Sequence, residues 1–184
     1  MRKIKAHFFI SLDGVVESPD QWHFPYFDDE MGAAVGAGFA GVDAMLMGRV
    51  LYEEWAAYWP EHAEEPFGDV MNGMKKYVVS SSLESADWQN AEVVSGDVAG
   101  KLGAIKAGDG GDIAMSGSAT TVRWLLRNGL LDELNLLVHP VVVGDGLARL
   151  FPADEESAPL ELRSSETFKS GVLNLSYAPA AATD

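Results

Sequence analysis

The chain has no cysteine, which excludes disulfides and thiolate metal ligation and suits a reducing compartment. Its four histidines, at positions 7, 23, 62 and 139, have none of the spacings of a zinc site, so no metal centre is expected. Basic residues are scarce: 13 Lys and Arg stand against 28 Asp and Glu, a formal net charge of −15. Binding nucleic acid needs clustered cations that displace counterions, so this balance speaks against nucleic acid and against an anionic membrane surface. Long hydrophobic runs are missing too. The first apolar stretch, Ala6 to Leu12, falls far short of the roughly 20 residues of a spanning helix. It contains His7 and runs into Asp13-Gly14, so it reads as a buried strand and not as a leader. No dinucleotide-binding glycine fingerprint opens a helix after a strand, and no serine triad can be read. A cytoplasmic protein is expected.

What is present suffices for one domain. The 184 residues are 47% hydrophobic, enough for a sizeable core. Strands are expected at Ile4–Ile10, Asp43–Met47, Lys76–Ser80, Glu92–Val94, Asp112–Met115 and Glu133–Val143. A final hairpin, Glu161–Lys169 with Val172–Tyr177, turns at Ser170-Gly171. Helices are expected at Asp28–Ala40, Val50–Trp59, Phe67–Met74, Val98–Ala107 and from Ser118 through Asn128. In the first helix Gly32 and Gly36 leave a flat face open to close approach. Strands alternating with helices argue for an α/β fold, a mostly parallel sheet covered on both faces, with an antiparallel C-terminal edge. One domain is expected over residues 1–178, with a disordered tail at 179–184.

Three turns fall just past the carboxyl ends of strands, where open α/β sheets hold ligands. They are Gly48-Arg49, Ser80-Ser81 and Ser116 to Thr120. The last is the sharpest. Gly117 admits close backbone approach, and Ser118, Ala119 and Thr120 open a helix whose free N–H groups suit phosphate oxygens. The same residues are equally a plain capped helix start, with Ser116 or Ser118 as the cap. Arg49 is the first cation after Lys5, across 43 residues without Lys or Arg. At a helix start a cation is unfavourable, so either an anion nearby offsets it or it pairs with Glu53 four residues on. His23 sits in a loop rich in aromatics and is either packed there or available as a ligand or acid. Asp28 and Asp29 could supply a proton or could simply favour a helix start.

In this order, Ser11-Leu12-Asp13-Gly14, Met47-Gly48-Arg49 with Tyr52-Glu53, Val78-Val79-Ser80-Ser81, Ser116-Gly117-Ser118, and Val143-Gly144-Asp145-Gly146 before Leu150-Phe151-Pro152 resemble the dihydrofolate-reductase-like superfamily. The nearest branch is the reductase domain of riboflavin biosynthesis, the RibD C-terminal domain family, with its stand-alone relatives. The resemblance runs from Ile4 to Tyr177. It implies a three-layer α/β/α fold, a homodimer and an NADPH-dependent reductase of a small molecule. It implies that Gly117, Ser118, Ala119 and Thr120, with Ser116, cradle the pyrophosphate. Arg49 and Ser81 would meet the 2′-phosphate side, Gly48 and Ser80 would also bind the cofactor, and Asp13 and Gly14 would lie near the nicotinamide. Asp13, His23 and Asp28 are the candidates for proton transfer. Two departures narrow the substrate. After Trp22-His23-Phe24-Pro25, the position that carries the pterin-protonating carboxylate in dihydrofolate reductases holds Phe27, with Asp28 one step late. The segment from Ala6 to Gly48 carries seven carboxylates and no cation, which disfavours a sugar phosphate and favours an unphosphorylated substrate. A non-catalytic nucleotide- or flavin-binding module on the same fold is the alternative.

Overall fold

The computed structural model describes residues 1–144 and 146–180. Asp145 and residues 181–184 of the expected tail lie outside the described residues. Among those described, the strands are β1 (Ile4–Ser11), β2 (Val42–Gly48), β3 (Lys75–Val79), β4 (Ala91–Val94), β5 (Asp112–Met115), β6 (Glu133–His139), β7 (Leu160–Thr167) and β8 (Leu173–Pro179). The helices are α1 (Asp29–Gly38), α2 (Arg49–Tyr58), α3 (Gly68–Gly73), α4 (Val98–Ala107) and α5 (Ala119–Arg127). All eight strands form one sheet in the order β4-β3-β2-β5-β1-β6-β8-β7. The first six are mutually parallel, while β8 runs antiparallel to both β6 and β7.

Alternation along the strands sorts the core into two faces. Ile4, Ala6, Phe8 and Ile10 of β1 share one face with Ala44 and Leu46 of β2, and there they meet Leu102 of α4 and Val122 and Leu125 of α5. Met45 and Met47 of β2 point the other way, onto Tyr52 of α2 and Met71 of α3. On that second face Phe9 and Leu137 pack with Met31 of α1. The result is the three-layer α/β/α arrangement. The close approach expected of Gly32 and Gly36 falls elsewhere. A Cβ at Gly38 would lie 3.1 Å from the His7 ring, whereas Gly36 has nothing within 4 Å.

Most element boundaries shift by one or two residues from the sequence reading, and two larger consequences follow at the C-terminal side. The strand expected at Glu133–Val143 ends at His139, because Pro140 has no N–H to continue the ladder. The following segment bonds outward instead, with Leu12 N donating to Val141 O at 2.8 Å. At the C-terminus, Pro179 belongs to β8 and is not tail, and Ala180 N donates to Pro159 O at 3.0 Å.

Lys76 is the least expected core residue. It is fully buried at the start of β3, with Nζ donating to the carbonyls of Asn72, Met74 and Gln89 at 2.8, 2.8 and 3.1 Å. The indole of Trp88 lies 4.1 Å from it. Oxygen dipoles and a ring face hold the ammonium where water cannot, and burial pulls its pKa down to about 8. Between that value and the ordinary 10.5 the unfolded chain holds a proton that the folded chain has released, so folding gains stability as pH rises through this window. Lys76→Met removes that gain. Urea unfolding at about pH 7 and about pH 9.5 should show wild type pulling further ahead of Lys76→Met at the higher pH. An equal gap at both contradicts the assignment.

Candidate active site at the carboxyl edge of the sheet

The six parallel strands end along one edge, and the loops after β1, β2, β3, β5 and β6 gather there. The central contact is between the end of β2 and the start of α5. Gly48 is buried, and a Cβ on it would lie 2.9 Å from Thr121 Oγ1 and 3.2 Å from Ser118 Oγ. On the other side, a Cβ at Gly117 would lie 3.3 Å from Leu51 of α2. Gly117 has φ +155° and is joined to Ser118 by a cis peptide. Two glycines thus let the Gly48-Arg49 and Ser116–Thr120 turns, predicted separately, interlock into one rim.

Ser118 caps α5. Its Oγ accepts from Thr121 N at 3.4 Å and lies 3.1 Å from Thr121 Oγ1. Val122 N donates to Ser118 O, whereas the N–H groups of Ala119 and Thr120 have no acceptor among the described residues. Both donors stand at the positive end of the helix dipole. Ser116 and Thr120 are exposed beside them. Arg49 is the first residue of α2, with no acidic residue in that helix's first turn. Its guanidinium pairs with Glu53 at 2.7 Å, both side chains nearly half exposed. A solvent-screened pair of this kind contributes little, so Arg49 can exchange Glu53 for a phosphate at small cost. The i,i+4 pair and the anion site are therefore compatible uses of one side chain. Ser80 is turned inward, its Oγ accepting from Ser82 N and Leu83 N at 3.2 and 2.9 Å. It shapes the turn and leaves Ser81 exposed at the rim.

The carboxylate of Asp13 is spent on the fold. It accepts from Ser11 Oγ at 2.7 Å, Val143 N at 3.0 Å and Gly144 N at 2.9 Å. Arg149 binds the same residue, Nε donating to Asp13 O at 2.9 Å. These bonds, the Ser11 hydroxyl first, hold the Asp13 carboxyl far below the usual carboxylate range. Such bonds favour the ionised form, which weighs against the expectation that Asp13 donates a proton. It fixes the loop after β6 against the loop after β1, where Gly14 turns the chain at φ +87°. The carboxylate of Asp28 is engaged as well. It caps α1, accepting from Met31 N at 2.9 Å, and that bond lowers its pKa.

His23 is 6% exposed. Its ring stacks on Phe9 at 4.6 Å, tilts against Phe24 at 4.2 Å and meets Phe27 edge-on at 5.8 Å. Packing thus accounts for its position, yet Nδ1 is buried with no partner, and burial lowers its pKa. Leu12, just after β1, and Val142, just after β6, are each 67% exposed, and Phe24 of the His23 cluster is 64% exposed.

The model of the RibD C-terminal domain matches residues 2–174. The chain belongs to that family. It is similar to YyaP of Bacillus subtilis (strain 168), an uncharacterized protein, at 29% identity over 96% of this chain and 94% of that one. In fold it is similar to a putative riboflavin biosynthesis protein from Shewanella sp. PV-4, with TM-score 0.78 and 19% identity over 98% of this chain and 100% of the other. It also resembles dihydrofolate reductase from Enterococcus faecalis, with TM-score 0.60 and 11% identity over 97% of each chain. The dihydrofolate-reductase-like α/β architecture and the family resemblance read from the sequence are thereby shown.

In this RibD C-terminal domain three contributors to the rim escaped the sequence reading. Thr121 fills the space under Gly48, Leu51 closes on Gly117, and Arg149 braces Asp13. Thr121 was detectable as the third residue after a Ser cap. Arg149 was detectable only as a cation among the apolar residues before Phe151. Among the described residues no helix is long and apolar enough to cross a membrane, and no group of three His, Asp or Glu could hold a metal ion.

If the interlock at Gly48 holds the rim together, Gly48→Ala must push against Thr121 Oγ1 and Ser118. A loss of about 1–3 kcal/mol in urea unfolding is expected, the range for inserting a methyl into filled space. Wild-type stability in Gly48→Ala would contradict this packing.

Proposed function

We propose that this RibD C-terminal domain is an NADPH-dependent reductase of a small, unphosphorylated heteroaromatic or carbonyl substrate. The observation that carries the reading is the interlock of Gly48 with the start of α5. It sets an arginine, two unpaired helix N–H groups and the hydroxyls of Ser116, Ser118 and Thr120 along one rim of a strongly negative protein. A dinucleotide fits this cradle. Gly117, Ala119 and Thr120 would hold its pyrophosphate on backbone N–H groups, without a side chain in the way. Arg49 and Ser81 would meet the 2′-phosphate. When bound, the cofactor supplies the hydride. The chain's own residues orient the partners and exclude water.

Proton handling falls to His23 in this reading. Asp13 and Asp28 both have their carboxylates engaged by backbone N–H groups, whereas His23 keeps an unpartnered ring nitrogen. The exposed apolar side chains of Leu12, Val142 and Phe24, and the lack of cations from Ala6 to Gly48, favour a flat uncharged substrate over a sugar phosphate. The reading includes a cytoplasmic homodimer, for which Leu162 and Leu173, 51% and 39% exposed on the outer hairpin, offer apolar surface. The engagement of both carboxylates also favours a second reading, a nucleotide- or flavin-binding module without turnover. That module would bind the cofactor and oxidise none with any acceptor.

Fluorescence titration separates these outcomes. NADPH should bind more tightly than NADH, and Arg49→Ala should remove roughly ten- to hundredfold of that preference, the range for losing a charge-assisted phosphate contact. Equal affinity for the two cofactors in wild type would overturn the Arg49 assignment.

A further inference from the structure

His23 shares its aromatic cage with a second unsatisfied imidazole. His139, the last residue of β6, is wholly buried, with Nδ1 2.8 Å from Leu137 O. A carbonyl oxygen can only accept, so Nδ1 carries the proton and Nε2 is a bare acceptor. That Nε2 is buried without a partner, as is Nδ1 of His23. The two ring centroids lie 6.1 Å apart, nearly perpendicular at 86°. Around them are Phe9, 5.7 Å from His139, and Trp22 and Tyr26, at 5.2 and 5.8 Å. These neighbours do not compete for the bare nitrogens. Trp22 gives its N–H to Glu17 O at 3.2 Å, and Tyr26 Oη lies 3.5 Å from Pro140 O. Two buried, unpartnered ring nitrogens therefore belong to neighbouring rings of one aromatic cage, and one bridging water would satisfy both.

We propose that His139 is a positioning residue for His23, its Nε2 accepting through one bridging water the proton that His23 carries on Nδ1. Leu137 O sets the tautomer of His139, and His139 in turn sets that of His23. This leaves His23 Nε2 as the end that exchanges a proton. In the charged form both His23 nitrogens carry hydrogen. The Nε2–H bond then breaks as a bond forms to the substrate heteroatom, and the hydride supplies the electron pair to the neighbouring carbon. His23 is left neutral with its Nδ1 proton retained, to be recharged from solvent. The transfer to substrate rests on the reductase reading. The coupling of the rings does not.

The titratable groups that bear on His23 are Asp20, whose charge favours its charged form, and His139, whose charge disfavours it, with Tyr26 the remaining ionisable side chain of the cage. Two actions of His139 have opposite signs. As an acceptor it supports charge on His23, and as a second cation it opposes it. Nitrogen-15 imidazole NMR of the full chain without cofactor, titrated with acid, distinguishes them. Wild type should show both His139 and His23 in the Nδ1–H form. In His139→Phe, His23 should lose that preference and its titration midpoint should fall by about half a unit or more. His139→Gln keeps an acceptor oxygen and should restore both. An Nε2–H form of His139 in wild type, or a His23 midpoint that stays put or rises in His139→Phe, overturns the proposal. If His139→Phe fails to fold, the wild-type tautomers and the Gln variant decide. Adding NADPH to the wild-type sample tests the reductase reading separately. Coupled rings without cofactor binding would uphold the pair and reject the reductase.

Discussion

The site depends on a missing side chain. Gly48 ends β2 where Thr121 and Ser118 fill the space that a Cβ would take, and this brings the start of α2 against the start of α5. Each helix start is unremarkable alone: one carries a cation where the dipole disfavours it, the other an ordinary serine cap. Brought together, they concentrate positive potential and free N–H groups at a single rim. On a chain with a net charge of −15, such a locus has few competitors for a small polyanion, since exposed charges beyond a Debye length of about 8 Å are largely screened.

The opposite side of the same edge is organised by a charge spent on the backbone. Asp13 joins the loop after β1 to the loop after β6 through Val143 N and Gly144 N, and Arg149 closes the bracket from behind. A carboxylate used in this way is held in place and favours its ionised form. It braces the two loops against each other. The apolar cage on the same edge holds histidines instead, whose neutral rings tolerate surroundings that would expel a carboxylate. Burial depresses the pKa of both His23 and His139, so an acceptor for His23 matters in deciding whether it can hold a proton at all.

Most of the fold was legible because periodicity and punctuation agreed. The alternation in Ile4–Ile10, the Gly129 stop after α5 and the Ser170-Gly171 hairpin turn each have a local physical cause. The strand expected through Val143 overran because Val141, Val142 and Val143 have strong β character, while Pro140 had already removed the ladder donor. The site was legible as separate turns and not as a joined rim, because joining depends on β5 inserting between β1 and β2, a long-range pairing that no local pattern encodes. The fate of Asp13 was hidden for the same reason: the backbone N–H groups that engage its carboxylate lie 130 and 131 positions away. The burial of Lys76 was not legible, since nothing nearby announces three converging carbonyls.

The most direct measurement of the central claim is backbone amide NMR of the full chain during titration with NADPH. The account predicts that the largest shifts fall on Ala119 and Thr120, whose N–H groups lack protein acceptors, together with Gly117 and the Gly48-Arg49 amides across the interlock. Binding without movement at those amides, or with shifts centred on another edge of the sheet, would contradict it.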